Sequence, residues 1–316
     1  MSNSSKIIVI LGPTSSGKSS LAIEIAKKWN GEIISADSRQ VYRGMDIGTG
    51  KVTQEEQAQV RHWLLDIADP NDDYNVSHFI RDAHMAFKDI VGRNKLPILC
   101  GGTGFWIQAL IENHKLPNIS PDPALREALA MKTREELFEM LEQLNPERAE
   151  TIDRNNPRRL VRAIEIAQNQ DKESSIRNTV PKIPPSPFPI PHSLLIALCP
   201  PKDILDARIQ TRLEARFNQG MIAEVEQLHS RGVSWERLDA FGLEYRWISR
   251  FLRKILSLNE MKERLFFDSI HYAKRQITWI RRWQRQGASL HSVETPEEAF
   301  QETNEFMKKT TFDNTR

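Results

Sequence analysis

Short, unbroken apolar runs interrupt an otherwise mixed chain, and each ends in glycine or small polar residues. KIIVIL, residues 6–11, passes into a glycine-rich turn; EIISADS, 32–38, closes on Asp37; KLPILCGGTG, 95–104, passes through Pro97 to Cys100 and into a second glycine-rich turn. Runs without alternation predict strands covered on both faces, as in a parallel sheet between helices, with the strand ends forming one crevice. Behind the first run, SSLAIEIAKKW switches to a helical period with Leu21, Ile25 and Trp29 on one side. SLLIALCP, 193–200, predicts a further strand.

Between these strands the pattern changes. From Asp122 to Asp171 the chain is charged and helical, with REELFEMLEQL and RRLVRAIEIAQ as its clearest periodic runs. VPKIPPSPFPIPH, 180–192, has too many prolines for a helix or a central strand and predicts an extended return strap. Helical patterns then continue to Gln286, and the last thirty residues read as a polar tail. The expected organisation is a core over 1–121, an inserted helical segment over 122–180, the strap, core completion and basic helices over 181–290, and a tail over 291–316.

Composition narrows the class. Two cysteines in 316 residues, Cys100 and Cys199, each end an apolar run and read as buried thiols of a reducing compartment. The N-terminal residues carry no secretory pattern and no apolar stretch approaches twenty residues, so a cytoplasmic location without membrane attachment is expected. The formal charge of +2 says little; the placement of the arginines says more.

GPTSSGKS, 12–19, has the strand before it and the helix after it that a phosphate loop needs. Its glycines let backbone N–H groups turn toward phosphate oxygens, Lys18 supplies a point charge, and Ser19 offers a hydroxyl to Mg²⁺. The motif leaves open what the phosphate is attached to, because a diphosphate on a lipid presents nearly the same oxygens as the end of ATP. Asp37, just past a strand, can hold Mg²⁺, cap a helix or accept a proton, and Ser38, Arg39 and Gln40 beside it can contact a base. Thr103 offers a hydroxyl at the end of another strand. Arg208 and Arg212, one turn apart, either clamp a phosphate or pair with Asp206 and Glu214.

Two basic stretches remain. RNNPRRLVR carries Arg154, Arg158, Arg159 and Arg162; HYAKRQITWIRRWQR carries Lys274, Arg275, Arg281, Arg282 and Arg285 without an acid, interleaved with Tyr272, Trp279 and Trp283. Cations for phosphates and planar groups for unstacked bases are the tools of RNA binding, although a solvated helix with inward tryptophans shows the same pattern.

In this order, GPTSSGKS, SADSRQVYRGMDIGT, LPILCGGTG, RRLVRAIE and AKRQITWIR resemble the transfer RNA dimethylallyltransferase (isopentenyltransferase) family, from the first strand to about Arg285. The resemblance implies an α/β fold: a P-loop NTPase-like parallel sheet with an inserted helical domain. It implies transfer of the dimethylallyl group of dimethylallyl diphosphate to N6 of adenosine 37 in the tRNA anticodon stem-loop, with Mg²⁺ as cofactor; a monomer is expected separately, because the largest patches suit RNA. Asp37 is then the general base and Thr103 the orienting hydroxyl. Gly12, Pro13, Thr14, Ser15, Ser16, Gly17, Lys18, Ser19 and Arg212 form the diphosphate site, with Ser19 on the metal. Asp37, Ser38, Arg39, Gln40, Thr103, Arg158, Arg159, Arg162, Lys274, Arg275, Gln276, Trp279 and Arg281 are expected at the tRNA. The chain departs from the pattern at Arg61, His62 and Trp63, where paired histidines are usual, at GLEYRW (242–247), and at Arg216, an extra cation expected to strengthen the positive channel.

A small-molecule or nucleotide kinase on the same fold is the competing reading. It explains the loop and an arginine-bearing lid, and it leaves the tryptophan-containing basic helix without a task.

Overall fold

The computed structural model describes residues 6–114, 117, 119, 121–169 and 192–309. The chain divides into two compact units, one of residues 1–114 and 185–316 and one of residues 115–184.

In the larger unit, the strands β1 (Ile7–Leu11), β2 (Gly31–Ser35), β3 (His62–Trp63), β4 (Leu96–Gly101), β5 (Ser193–Leu198) and β6 (Leu290–Val293) form one sheet in the order β3-β2-β4-β1-β5-β6. Every pair is parallel, and the central register aligns Val9 with Leu99 on one side and Leu195 on the other. The apolar runs are continuous because helices cover both faces: Ile7, Ile8, Val9 and Ile10 are fully buried. Burying each such side chain contributes about 1.5–3 kcal/mol, which fixes the strands and therefore the turns that leave their carboxyl ends.

The end of the chain corrects the polar-tail expectation. Residues 290–293 pair with β5 as an edge strand, and the helix Pro296–Lys309 packs Phe300, Phe306 and Met307 on the core cluster, where Phe300 meets Trp29 with ring centroids 5.4 Å apart. A short edge strand has few inward positions, and a helix packed on one side keeps a largely polar sequence. The proline-rich strap, 180–192, lies outside the described residues except for His192.

The smaller unit is helical: Pro123–Ala130, Arg134–Leu144, Pro146–Thr151 and Pro157–Gln168. Three of these helices begin with proline behind Asp122, Asn145 or Asn156, whose side chains accept the N–H groups of Leu125, Arg148 and Arg159. Proline suits the first helical position, and the capping side chain satisfies a donor the helix cannot. Leu129, Leu137, Leu141, Leu160 and Ile164 make its core. Glu165, 0 % exposed, receives Arg126, Arg162 and the N–H of Asp122. Burial opposes its charge, but these hydrogen bonds outweigh burial and hold the carboxyl at about 2. No helix among the described residues is long and apolar enough to cross a membrane.

Candidate active site

The phosphate loop leaves β1 at Gly12 and enters the helix Lys18–Lys28. Gly17 sits at φ +96°, a conformation that strains any residue with a Cβ, and Ser15 is also left-handed at +62°. The helix has no side-chain cap, and the Ser16 hydroxyl, 1 % exposed, has no partner among the described residues. Uncapped N–H groups and an orphaned hydroxyl at a helix start fit an anion. Lys18 donates to the Pro13 carbonyl at 3.1 Å, and burial pulls its ammonium below the ordinary value.

The helix Lys202–Asn218 sends three arginines, each one turn from the next, toward this loop and its neighbour at residues 46–50. Arg208 donates to the Ser16 carbonyl at 3.2 Å. Arg212 donates to the Thr14 hydroxyl at 3.5 Å and to the Gly50 carbonyl at 3.2 Å. Burial, and next the charge of Arg216, push Arg212 down to about 10. Among the described residues no carboxylate touches Arg208 or Arg212, and Asp206 pairs with Lys202 instead, so the ion-pair alternative falls away. Arg216 corrects the channel expectation. It is buried, bonded to Glu244 at 2.8 Å and to the Gly48 carbonyl at 3.1 Å, so its charge braces the protein.

Asp37 follows β2 by two residues. Its Oδ1 accepts the N–H of Arg39 at 2.9 Å and that of Gln40 at 3.4 Å, while Oδ2 accepts no hydrogen bond among the described residues. The turn is therefore an Asx turn that leaves one oxygen for chemistry. Its charge bears on Lys18, Arg212 and Tyr272, which locates it among them. Thr103, at the end of the neighbouring strand, accepts Ser38 N–H at 3.0 Å and donates its own N–H to the Ala36 carbonyl at 3.2 Å. Arg39 and Gln40 are largely spent within the protein, on the Phe241 carbonyl at 2.9 Å and the Gly50 carbonyl at 3.2 Å.

A cavity of ≈ 210 Å³ opens beside Thr103, between Gly12, Gly102, Gly104 and the side chains of Phe105, Tyr272, Arg275, Gln276 and Trp279. The last four belong to the basic helix Leu258–Arg285. Lys274, Arg275 and Arg281 are exposed, whereas the interleaved aromatics divide: Trp279 lines the cavity, and Trp283, 2 % exposed, packs in the core and donates to the exposed carboxylate of Glu112. Gly104 exists for Trp279, since a Cβ there would overlap the indole. Gln276, expected at the tRNA, has both atoms of its amide bonded within the protein and also lines the cavity. In the smaller unit Arg158 and Arg159 are exposed, but Arg162 is committed to Glu165 and the Ile119 carbonyl, both at 2.8 Å, so it too is a brace.

Some residues of this centre carried no sequence signal. Glu224 accepts the consecutive N–H groups of Asp46, Ile47 and Gly48 at 2.9, 2.6 and 3.0 Å and the Tyr245 hydroxyl at 2.8 Å, latching the 46–50 loop from some 177 residues away. Phe105 is exposed at the cavity. The thiols take no part: burial pushes Cys100 up to about 12 and Cys199 up to about 11.

Among the described residues no cluster of three or more His, Cys, Asp or Glu side chains gathers to hold a metal. The thin donor set, the Ser19 hydroxyl in the first turn of the helix behind an orphaned anion cradle, fits Mg²⁺, which draws most of its ligands from phosphate and water.

Comparison with known proteins agrees with this geometry. The IPP transferase family matches residues 40–283. The chain is 40 % identical to tRNA dimethylallyltransferase 1 of Geotalea uraniireducens over 305 residues, 96 % of this chain and 98 % of that protein. It is 42 % identical to tRNA dimethylallyltransferase 2 of Trichlorobacter lovleyi over 290 residues, 92 % of each. Among solved structures, the tRNA isopentenylpyrophosphate transferase of Bacillus halodurans superposes with a TM-score of 0.69 at 31 % identity, over 98 % of this chain and 99 % of that one. A eukaryotic dimethylallyltransferase acting on tRNA reaches 0.79 at 25 % identity, over 97 % and 80 %.

Proposed function

The chain belongs to the IPP transferase family, and from that premise we propose how its residues divide the work of moving a dimethylallyl group from dimethylallyl diphosphate to adenosine 37 of tRNA. The observation that carries the reading is an anion cradle and a free carboxylate oxygen at the carboxyl ends of β1 and β2, the two strands that flank β4. Arg212, half-buried and without a carboxylate contact among the described residues, supports a diphosphate in the loop. Asp37 Oδ2 and the Thr103 hydroxyl support an acceptor amine beside it.

An exocyclic adenine amine is a weak nucleophile, because its lone pair is delocalised into the ring, and the base must leave its stack to be reached. Asp37 accepts a hydrogen bond from N6–H, orients the amine and takes its proton as the N–C bond forms. Thr103, having accepted from Ser38, still has its O–H to donate to the base or the diphosphate. Lys18, Arg212 and the loop N–H groups stabilise the charge that grows on diphosphate as the allylic C–O bond breaks. Ser19 would hold Mg²⁺, which would supply Lewis-acid stabilisation of the same charge. Lys274, Arg275 and Arg281 hold RNA phosphates, and Trp279 offers a face to an unstacked base. In the smaller unit, Arg158 and Arg159 serve the same RNA.

The test is purified protein with Mg²⁺ and unmodified tRNA, given either dimethylallyl diphosphate or ATP. Prenylated tRNA with the first donor and no phosphoryl transfer with the second is expected. Phosphoryl transfer without prenylation overturns the reading in favour of a kinase.

A further inference from the structure

The basic helix Leu258–Arg285 turns Lys274 and Arg275 to solvent, yet Gln276 in the same turn faces the protein and is 9 % exposed. Its Oε1 accepts Thr14 N–H at 2.8 Å and its Nε2 donates to the Gly102 carbonyl at 2.9 Å. One amide thus joins the turn after β1 to the turn after β4, and both partners are backbone groups. The fit is built on the other side as well, since a Cβ at Gly102 would overlap Gln276 Nε2. Thr14 is gripped a second time, through its hydroxyl, by Arg212.

Resting on the prenyl-transfer reading above, we infer that Gln276 is a positioning residue for the donor. It sets the separation between the phosphate loop and the Gly102–Thr103 turn, acting through backbone groups of both. An amide is the side chain that supplies one acceptor and one donor at a fixed spacing, which is what a N–H and a C=O on opposite turns require. Without it, Thr14 is held only through its hydroxyl by Arg212, and Gly102 is free to shift relative to the loop. A displacement of about 1 Å between groups that must act together costs on the order of 10²-fold in rate. The exposed cations of the helix are untouched by this role, so donor binding and RNA binding separate.

Gln276→Met keeps volume and helix while removing both hydrogen bonds; Gln276→Asn keeps the amide but, one methylene shorter, cannot span both partners. For the parent and each variant the measurements are the KM for dimethylallyl diphosphate, the single-turnover rate, and tRNA affinity without donor as a function of salt. The parent must first prenylate tRNA, and its failure to do so refutes the functional reading itself. Given an active parent, the donor KM is expected to rise roughly 10-fold or more in both variants and the rate to fall, with tRNA affinity and its salt slope within twofold of the parent. An unchanged donor KM in Gln276→Asn overturns the inference, as does a loss of tRNA affinity that equals or exceeds the loss of donor binding. If Gln276→Met does not fold, the Asn variant alone decides.

Discussion

The backbone N–H of Ser38 donates to the hydroxyl of Thr103 at 3.0 Å, which stitches together the turns that follow β2 and β4, one residue from the Asp37 carboxylate. Thr103 therefore fixes the site, beside the substrate role proposed for its hydroxyl. Thr103→Ser retains the acceptor and is expected to prenylate within a few-fold of the parent. Thr103→Val keeps the shape, loses the bond to Ser38, and is expected to lose roughly 10²-fold in single-turnover rate with tRNA affinity preserved. Equal rates in the Ser and Val variants, by rapid quench, contradict this assignment.

Arg212 and Arg216 lie one turn apart and are predicted to fail in opposite ways. Removing Arg216 strands the buried Glu244, and Arg216→Met is expected to cost about 3–5 kcal/mol in urea unfolding. Removing Arg212 strands no carboxylate contact and relieves a desolvated charge beside Arg216. Arg212→Met is expected to unfold near the parent's midpoint while its donor KM rises roughly 10- to 100-fold, the worth of a hydrogen bond to a charged group. A destabilised Arg212→Met with an unchanged donor KM would reverse the two roles.

Glu32 in β2 accepts Arg93 Nη1 and Nη2 at 2.6 Å, Lys95 at 2.8 Å and the Trp63 indole N–H at 2.8 Å. The Arg93 bonds foremost, helped by Lys95 and Trp63 against burial, hold its carboxyl at about 2, below the usual 4.5. A value depressed on folding gives stability that is present above the unfolded value and drains as pH falls from about 4.5 toward 2. The parent is expected to lose urea stability across that window, and Glu32→Gln to lose less per pH unit, with Glu165 supplying a residual slope in both. Identical slopes for parent and variant rule this linkage out.

What the sequence made legible is local. The phosphate loop, the strands β1, β2, β4 and β5 and the positions of Asp37 and Thr103 all follow from apolar runs meeting glycine or small residues within a few positions. What it hid is decided across the sheet. Glu224 reads as an ordinary helical residue until three N–H groups from the 46–48 turn converge on it. Trp279 and Trp283 share a helix face and look alike in sequence, and only the glycine at 104 and the carboxylate of Glu112 separate a cavity wall from a core residue. Arg162, Arg216 and Gln276 carry the composition of a binding surface, yet each is turned inward by a partner far along the chain or, for Arg162, by a buried glutamate one turn away.

The most direct test is Asp37→Asn. Asn keeps an oxygen to accept Arg39 N–H, so the Asx turn survives, but it replaces the free carboxylate oxygen with an NH₂ that cannot take a proton. Single-turnover transfer from labelled dimethylallyl diphosphate under saturating tRNA, with the affinity of each substrate measured alongside, isolates the chemical step. The expected result is near-parent binding of both substrates with transfer slower by roughly 10²-fold or more, the scale of lost general-base catalysis. A transfer rate within a few-fold of the parent would contradict the account and remove Asp37 from the proton transfer.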